Sequence, residues 1–131
     1  MKPRGEPYIE AGEQLVAEFY VREIARARDF LRAFGFELVR EESNFAELRW
    51  ERSLIFLECV ENYPEPPAMP VANIRVMVPD VDDYWRKALA NGARVLRPID
   101  NRDYGLRDFT IAGPHGIALR FATTLTRTSH R

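Results

Sequence analysis

With 131 residues, 46 % of them hydrophobic and 30 % charged, the chain has the composition of one small globular domain. A formal charge of −1 gives no electrostatic reason to expect nucleic acid or an anionic membrane as partner. A lone cysteine, Cys59, excludes an internal disulfide framework and a multi-cysteine zinc site. The longest apolar run, Leu54 to Leu57, is far short of the roughly 20 residues of a membrane span. No apolar stretch follows the basic residues of Met1 to Pro7, so a cytoplasmic protein is expected.

Residues 1–13 are polar, hold two prolines and read as a flexible arm or a partner-binding strand. Leu15 to Val21 is a β-prone segment. From Ile24 to Phe34 the apolar positions 24, 27, 31 and 34 have helical spacing, and Gly35 supplies the left-handed residue that ends many helices. Phe36 to Arg40 reads as a strand. Phe45 to Glu51 and Ser53 to Cys59 follow with so little between them that they form a hairpin. Residues 60–70 carry four prolines and read as a linker.

The pattern then restarts. Ala72 to Val78 is a strand, and Asp80 is an N-cap for a helix over Val81 to Ala90. Asn91 and Gly92 end that helix, and Ala93 to Arg97 is a strand. A polar loop over 98–105 precedes two last strands, Arg107 to Ala112 and Ile117 to Thr123, with Gly113 to Gly116 as their turn. Residues 124–131 form a tail. Laid over each other without a gap, residues 21–40 and 78–97 match at an offset of 57. Val21 meets Val78, Ala33 meets Ala90, Gly35 meets Gly92 and Arg40 meets Arg97. The order is a duplicated βαβββ unit, with modules at 14–60 and 71–123, and the fold class is α+β. A ferredoxin-like βαββαβ arrangement is the alternative, and it leaves the 45–59 hairpin without a place.

Three passages carry a family likeness. One is Val21 and Ile24 followed by Asp29-Phe30-Leu31 and Phe34-Gly35-Phe36. The second is Val78-Pro79-Asp80-Val81-Asp82-Asp83-Tyr84-Trp85 with Gly92-Ala93-Arg94-Val95. The third is Tyr104-Gly105-Leu106-Arg107-Asp108-Phe109 with Pro114, Gly116, Leu119 and Phe121. Together they resemble the vicinal oxygen chelate superfamily of glyoxalases, extradiol dioxygenases, and fosfomycin- and bleomycin-resistance proteins. Gly113 stands where that family usually has an aspartate. The resemblance implies one domain over 14–123, a curved, mostly antiparallel sheet around a cavity with helices outside, and a homodimer.

Enzymes of that family hold a divalent metal with one inward residue from each of strands one, four, five and eight, mostly His and Glu. The corresponding positions here are Val16, Leu57 or Glu58, Asn73 and Arg120. Arginine has no lone pair to offer a metal, and its charge repels one. The two histidines, His115 in a turn and His130 in the tail, are expected to be idle. The expectation is therefore no metal and no other cofactor.

Strand alternation puts Ala17, Phe19, Val21, Ile74, Val76 and Val78 under the helices. The opposite face takes Val16, Glu18, Tyr20, Asn73, Arg75, Met77, Ala118, Arg120 and Ala122. Glu18 and Arg75 occupy equivalent places in the repeat. Three readings stay open: an ion-pair network of Glu18 with the arginines, a surplus arginine holding a ligand carboxylate or phosphate, or Glu18 as a metal-free general base. Trp50 and Tyr104 are candidates to stack on a flat ligand, while Phe109, Tyr84 and Trp85 read as core. The leading expectation is a metal-free protein that sequesters or senses a small acidic or aromatic molecule through Glu18, Tyr20, Trp50, Asn73, Arg75, Tyr104 and Arg120. The alternatives are a metal-dependent lyase, isomerase or dioxygenase using Glu58, and a metal-free lyase or isomerase using Glu18.

Overall fold

The computed structural model describes residues 15–125, together with Ile9 and Gly12. The chain divides into two compact units between Tyr63 and Pro64, inside the proline-rich segment. The expected arm and tail lie outside the described residues, apart from Ile9, Gly12, Thr124 and Leu125.

The first module runs β1 (Ala17–Val21), α1 (Ile24–Ala33), β2 (Glu37–Glu42), β3 (Phe45–Trp50) and β4 (Ser53–Cys59). The second runs β5 (Ala72–Met77), α2 (Val81–Ala90), β6 (Val95–Asn101), β7 (Leu106–Ala112) and β8 (Ile117–Thr124). Each forms its own four-stranded sheet, in the order β1-β4-β3-β2 and β5-β8-β7-β6. The first two strands in each order are parallel and the rest antiparallel. Two βαβββ modules are thus present, as the repeat implies.

Each helix exists because its stripe finds a sheet. Leu31 and Phe34 of α1 and its C-terminus are fully buried, with Ala46, Leu48 and Leu57 fully buried on β3 and β4. In the second module Ala88 is fully buried, and so are Phe109, Ile111, Leu119 and Phe121. Tyr84 stacks on Phe121 at 5.0 Å and Trp85 meets Phe109 edge-on at 5.1 Å. Asp80 accepts a hydrogen bond from the Asp82 amide and caps α2. Arg107 reaches back from β7 to both carboxylate oxygens of Asp82, at 2.9 and 3.2 Å. Its place in the quoted motif is therefore a clamp between strand and helix. Beyond α1, Gly35 takes φ +112°, a conformation closed to side chains, and an added Cβ would stand 3.3 Å from the Trp50 ring.

Several boundaries differ from expectation by a residue or two, and those of β1 and β6 depart in ways that matter. β1 starts at Ala17, so Leu15 and Val16 precede it. β6 spans 95–101 and takes in Pro98 to Asn101, which read as loop. Its ladder with β7 shifts register between Val95 and Arg97 and again between Arg97 and Asp100. Pro98, lacking an N–H, is accommodated because the ladder is already interrupted there and β6 is an edge. The first of these shifts has its counterpart in β2, between Leu38 and Arg40. The duplication therefore extends to the irregularities.

Candidate functional site

In each module the helix covers one sheet face, leaving the polar residues of the other face as candidates. On the second module these residues form rows. Arg75 of β5 lies directly opposite Arg120 of β8, Arg120 opposite Thr110 of β7, and Thr110 opposite Arg97 of β6. One row across all four strands therefore reads arginine, arginine, threonine, arginine. The Arg120 Nε donates to the Thr110 hydroxyl at 3.0 Å. Among the described residues no carboxylate pairs with Arg75, Arg97 or Arg120. Like charges directly opposed across strands are unfavourable, so this row is an unusual thing for a sheet to carry.

The next row holds Met77, Ala122, Asp108 and Asp100. Asp108 is completely buried and its oxygens are taken: Arg102 Nε donates at 2.8 Å to one, the Tyr104 hydroxyl at 2.6 Å to the other. Burial pushes this carboxyl up, but the bonds from Tyr104 and Arg102 and the charges of Arg102 and Arg120 outweigh it and hold it below its ordinary value. Arg97 reaches the Tyr104 hydroxyl at 3.5 Å. Tyr104, in the turn between β6 and β7, is thereby pinned with its ring half-exposed.

The corresponding face of the first module is acidic. Its equivalent row is Glu18, Phe56, Glu47 and Arg40. Here the arginine is neutralised: Arg40 Nε donates to Glu47 at 2.8 Å. Tyr20 lies opposite Glu58 and 5.7 Å from the Tyr63 ring. Burial, then the hydrogen bond and charge of Glu58, push the Glu18 carboxyl above its usual range. Glu58, not Leu57, shares this face, because Leu57 is fully buried while Glu58 is exposed.

The expected residues thus separate. Glu18 and Tyr20 share the open face of the first module, and Asn73, Arg75 and Arg120 that of the second, with Tyr104 at its edge. Trp50 is on the helix side of its sheet, 5.1 Å from Phe36 and against Gly35, so stacking on a ligand beside Glu18 is not open to it. Arg97, Arg102, Asp108 and Thr110 went unnoticed in the sequence. The alternation of Asp108 and Thr110 with buried Phe109 and Ile111 is the signal that could have found them. His115 bonds through Nε2 to the Pro64 carbonyl at 2.7 Å, and His130 lies outside the described residues. A cleft of about 510 Å³ lined by Arg22, Asn44, Cys59, Glu61 and Asn62 opens at the ends of β1 and β4. Its thiol donates to the Arg22 carbonyl and its guanidinium to the Tyr63 carbonyl, so both are engaged locally.

The model of the Glyoxalase/Bleomycin resistance protein/Dioxygenase superfamily matches residues 14–121. The chain belongs to this superfamily. TioX from Micromonospora sp. ML1 is 25 % identical, with a TM-score of 0.69 over 85 % of this chain and 98 % of that one. A bleomycin resistance determinant encoded on the transposon Tn5 is 14 % identical, with a TM-score of 0.69 over 86 % and 98 %. The lactoylglutathione lyase of Agrobacterium tumefaciens is 19 % identical, with a TM-score of 0.67 over 83 % and 91 %. No curated protein matches the chain significantly.

The superfamily's metal does not fit the donors present. Of the four positions that the resemblance implies, Val16 and Asn73 offer no strong ligand, Arg120 is a cation beside a second cation, and Glu58 alone is a carboxylate. Among the described residues no group of three or more His, Cys, Asp or Glu is placed to hold a metal ion. Nor is any described helix long and apolar enough to cross a membrane.

Proposed function

We propose that the protein is a metal-free small-molecule-binding member of its superfamily. It sequesters or senses a small, partly aromatic acid, whose anionic group sits between Arg75 and Arg120. The direct opposition of Arg75 and Arg120 across β5 and β8, with no carboxylate paired to either among the described residues, carries the reading. Unit charges held close together repel by on the order of 1 to 4 kcal/mol between bulk-water and protein-surface dielectric. An anion between them converts that cost into two charge-assisted contacts. The half-exposed ring of Tyr104 supplies a surface for the aromatic part of the ligand, and Asn73 a neutral hydrogen-bonding group beside Arg75. The same reading places the protein in the cytoplasm as a homodimer, and the exposed Leu15, Met69 and Val71 supply apolar surface for a second copy.

Isothermal titration with a panel of aromatic acids tests it. Arg75→Met and Arg120→Met should each weaken binding at least tenfold, the size of one lost charge-assisted hydrogen bond of about 1.5–3 kcal/mol. Unchanged affinity in both variants, or stoichiometric metal in protein purified without chelator, would overturn the proposal. The raised Glu18 carboxyl favours a second reading, a metal-free lyase or isomerase that uses Glu18 for proton transfer. That reading requires turnover which Glu18→Gln abolishes without changing ligand affinity.

A further inference from the structure

The two modules carry the same row twice, and the difference between the copies narrows the ligand class. In the first module the row is Glu18, Phe56, Glu47 and Arg40, and its one arginine is tied to Glu47 at 2.8 Å. In the second, every one of those positions except the last has changed in the same electrostatic direction. Glu18 becomes Arg75, Phe56 becomes Arg120, and Glu47 becomes Thr110, while Arg40 remains arginine as Arg97. An acidic row, two carboxylates to one arginine, has become one with three cations and no acid. The adjacent row's acids are engaged elsewhere: Arg102 and Tyr104 occupy the two oxygens of buried Asp108, and Asp100, opposite it on β6, accepts from the Asn101 amide.

We infer that this row is built for a dianionic tetrahedral group, a phosphate monoester, and this rests on the reading of the second module as an acid-binding face. A carboxylate brings one charge and two oxygens, and would leave two of the three guanidiniums uncompensated. A phosphoryl monoester brings close to two charges and three acceptor oxygens at neutral pH. The donors suit that count. Nε of Arg120 is fixed on the Thr110 hydroxyl, which orients the guanidinium and leaves both terminal nitrogens without a partner among the described residues. The Thr110 hydroxyl, having accepted that bond, retains its own hydrogen to donate. Arg75 makes no hydrogen bond among the described residues.

Phenyl phosphate and benzoate are the probes, titrated calorimetrically into the full chain at pH 7.5 and pH 5. The second ionisation of a phosphate ester lies near pH 6 and that of a carboxylic acid near 4, so only the phosphate changes charge over this interval. Phenyl phosphate should bind at least tenfold tighter than benzoate at pH 7.5 and lose most of that advantage at pH 5. Arg75→Met should reduce phenyl phosphate affinity at least tenfold, and Arg75→Glu, which copies Glu18 at an exposed position, by more. Thr110→Val should weaken phenyl phosphate more than benzoate. Equal affinities at pH 7.5, or tighter benzoate, would overturn the dianion and leave the acid-binding face standing. No binding of either probe at millimolar concentration would sink that face and the inference together.

Discussion

Replacing Asp108 by asparagine removes a charge from the most enclosed ion pair in the second module without changing its shape. The Asp108 side chain is fully buried and that of Arg102 is only 11 % exposed. The substitution leaves Arg102 as an uncompensated buried cation, which costs about 3–5 kcal/mol. Tyr104 retains an oxygen to donate to, so the lower half of that range is expected. For a chain of this length, about 3 kcal/mol lowers Tm by roughly 10 °C. Urea unfolding followed by far-UV circular dichroism gives the difference between wild type and Asp108→Asn, provided the slope m is unchanged. Its pH dependence supplies a second check. Asp108 has a depressed pKa in the folded chain. Its contribution is therefore complete above the unfolded value near 4 and fades as pH falls through the lower folded value. The stability difference should be flat from pH 8 to 5 and shrink below about pH 4. Asp29→Asn is the control, because Asp29 pairs with Arg28 in solvent, where such pairs contribute about 0–1 kcal/mol. A loss below 1 kcal/mol in Asp108→Asn, or one that persists undiminished in acid, would refute the ion-pair argument.

Gly35→Ala should destabilise by roughly 1–3 kcal/mol, since φ is +112° and the new methyl presses on Trp50, whereas Gly92→Ala, at φ +66° in open space, should cost about 1 kcal/mol in the same urea assay. Glu18 has a raised folded pKa, so its contribution is fullest below the unfolded value near 4 and is lost as pH rises through the folded value. Glu58→Gln should remove the part of that loss due to Glu58 and leave the part due to burial, gaining about 0.5 kcal/mol at pH 7 and nothing at pH 3.5, the small size that solvent screening leaves to an exposed cross-strand pair. Sedimentation equilibrium at micromolar concentration should return twice the chain mass, and a monomer there would dismiss the homodimer.

Much of the fold was legible because it rests on repeated local physics. The stripes at 24, 27 and 31 and at 81 and 88 are buried, and so are Val21 and Val78 at equivalent places in the repeat. The faces of β1, β5 and β8 followed from alternation alone, which brought Arg75 and Arg120 together before their pairing was seen. β6 was harder. Pro98 and Asp100 carry loop chemistry, and only the register shifts, a property of two strands at once, allow them into a ladder. Asp108 was missed for a related reason. An acid inside a motif known for its neighbouring arginine reads as surface until Arg102 and Tyr104 are seen converging on it from the preceding turn. Trp50 had the right chemistry and the wrong parity, since a side chain one residue along a strand belongs to the other face.

The paired register shifts in β2 and β6 also bear on how the sheets end. A regular edge strand exposes an even series of amides and carbonyls that another chain can extend, and this is a common route to aggregation. At Leu38–Arg40 and at Val95–Asp100 that series is broken, once by an extra residue and once more beside a proline that has no amide to donate. The outer border of each sheet is therefore a poor template. Fibril growth and strand exchange are discouraged there in both modules by the same inherited defect, which the duplication copied along with the fold.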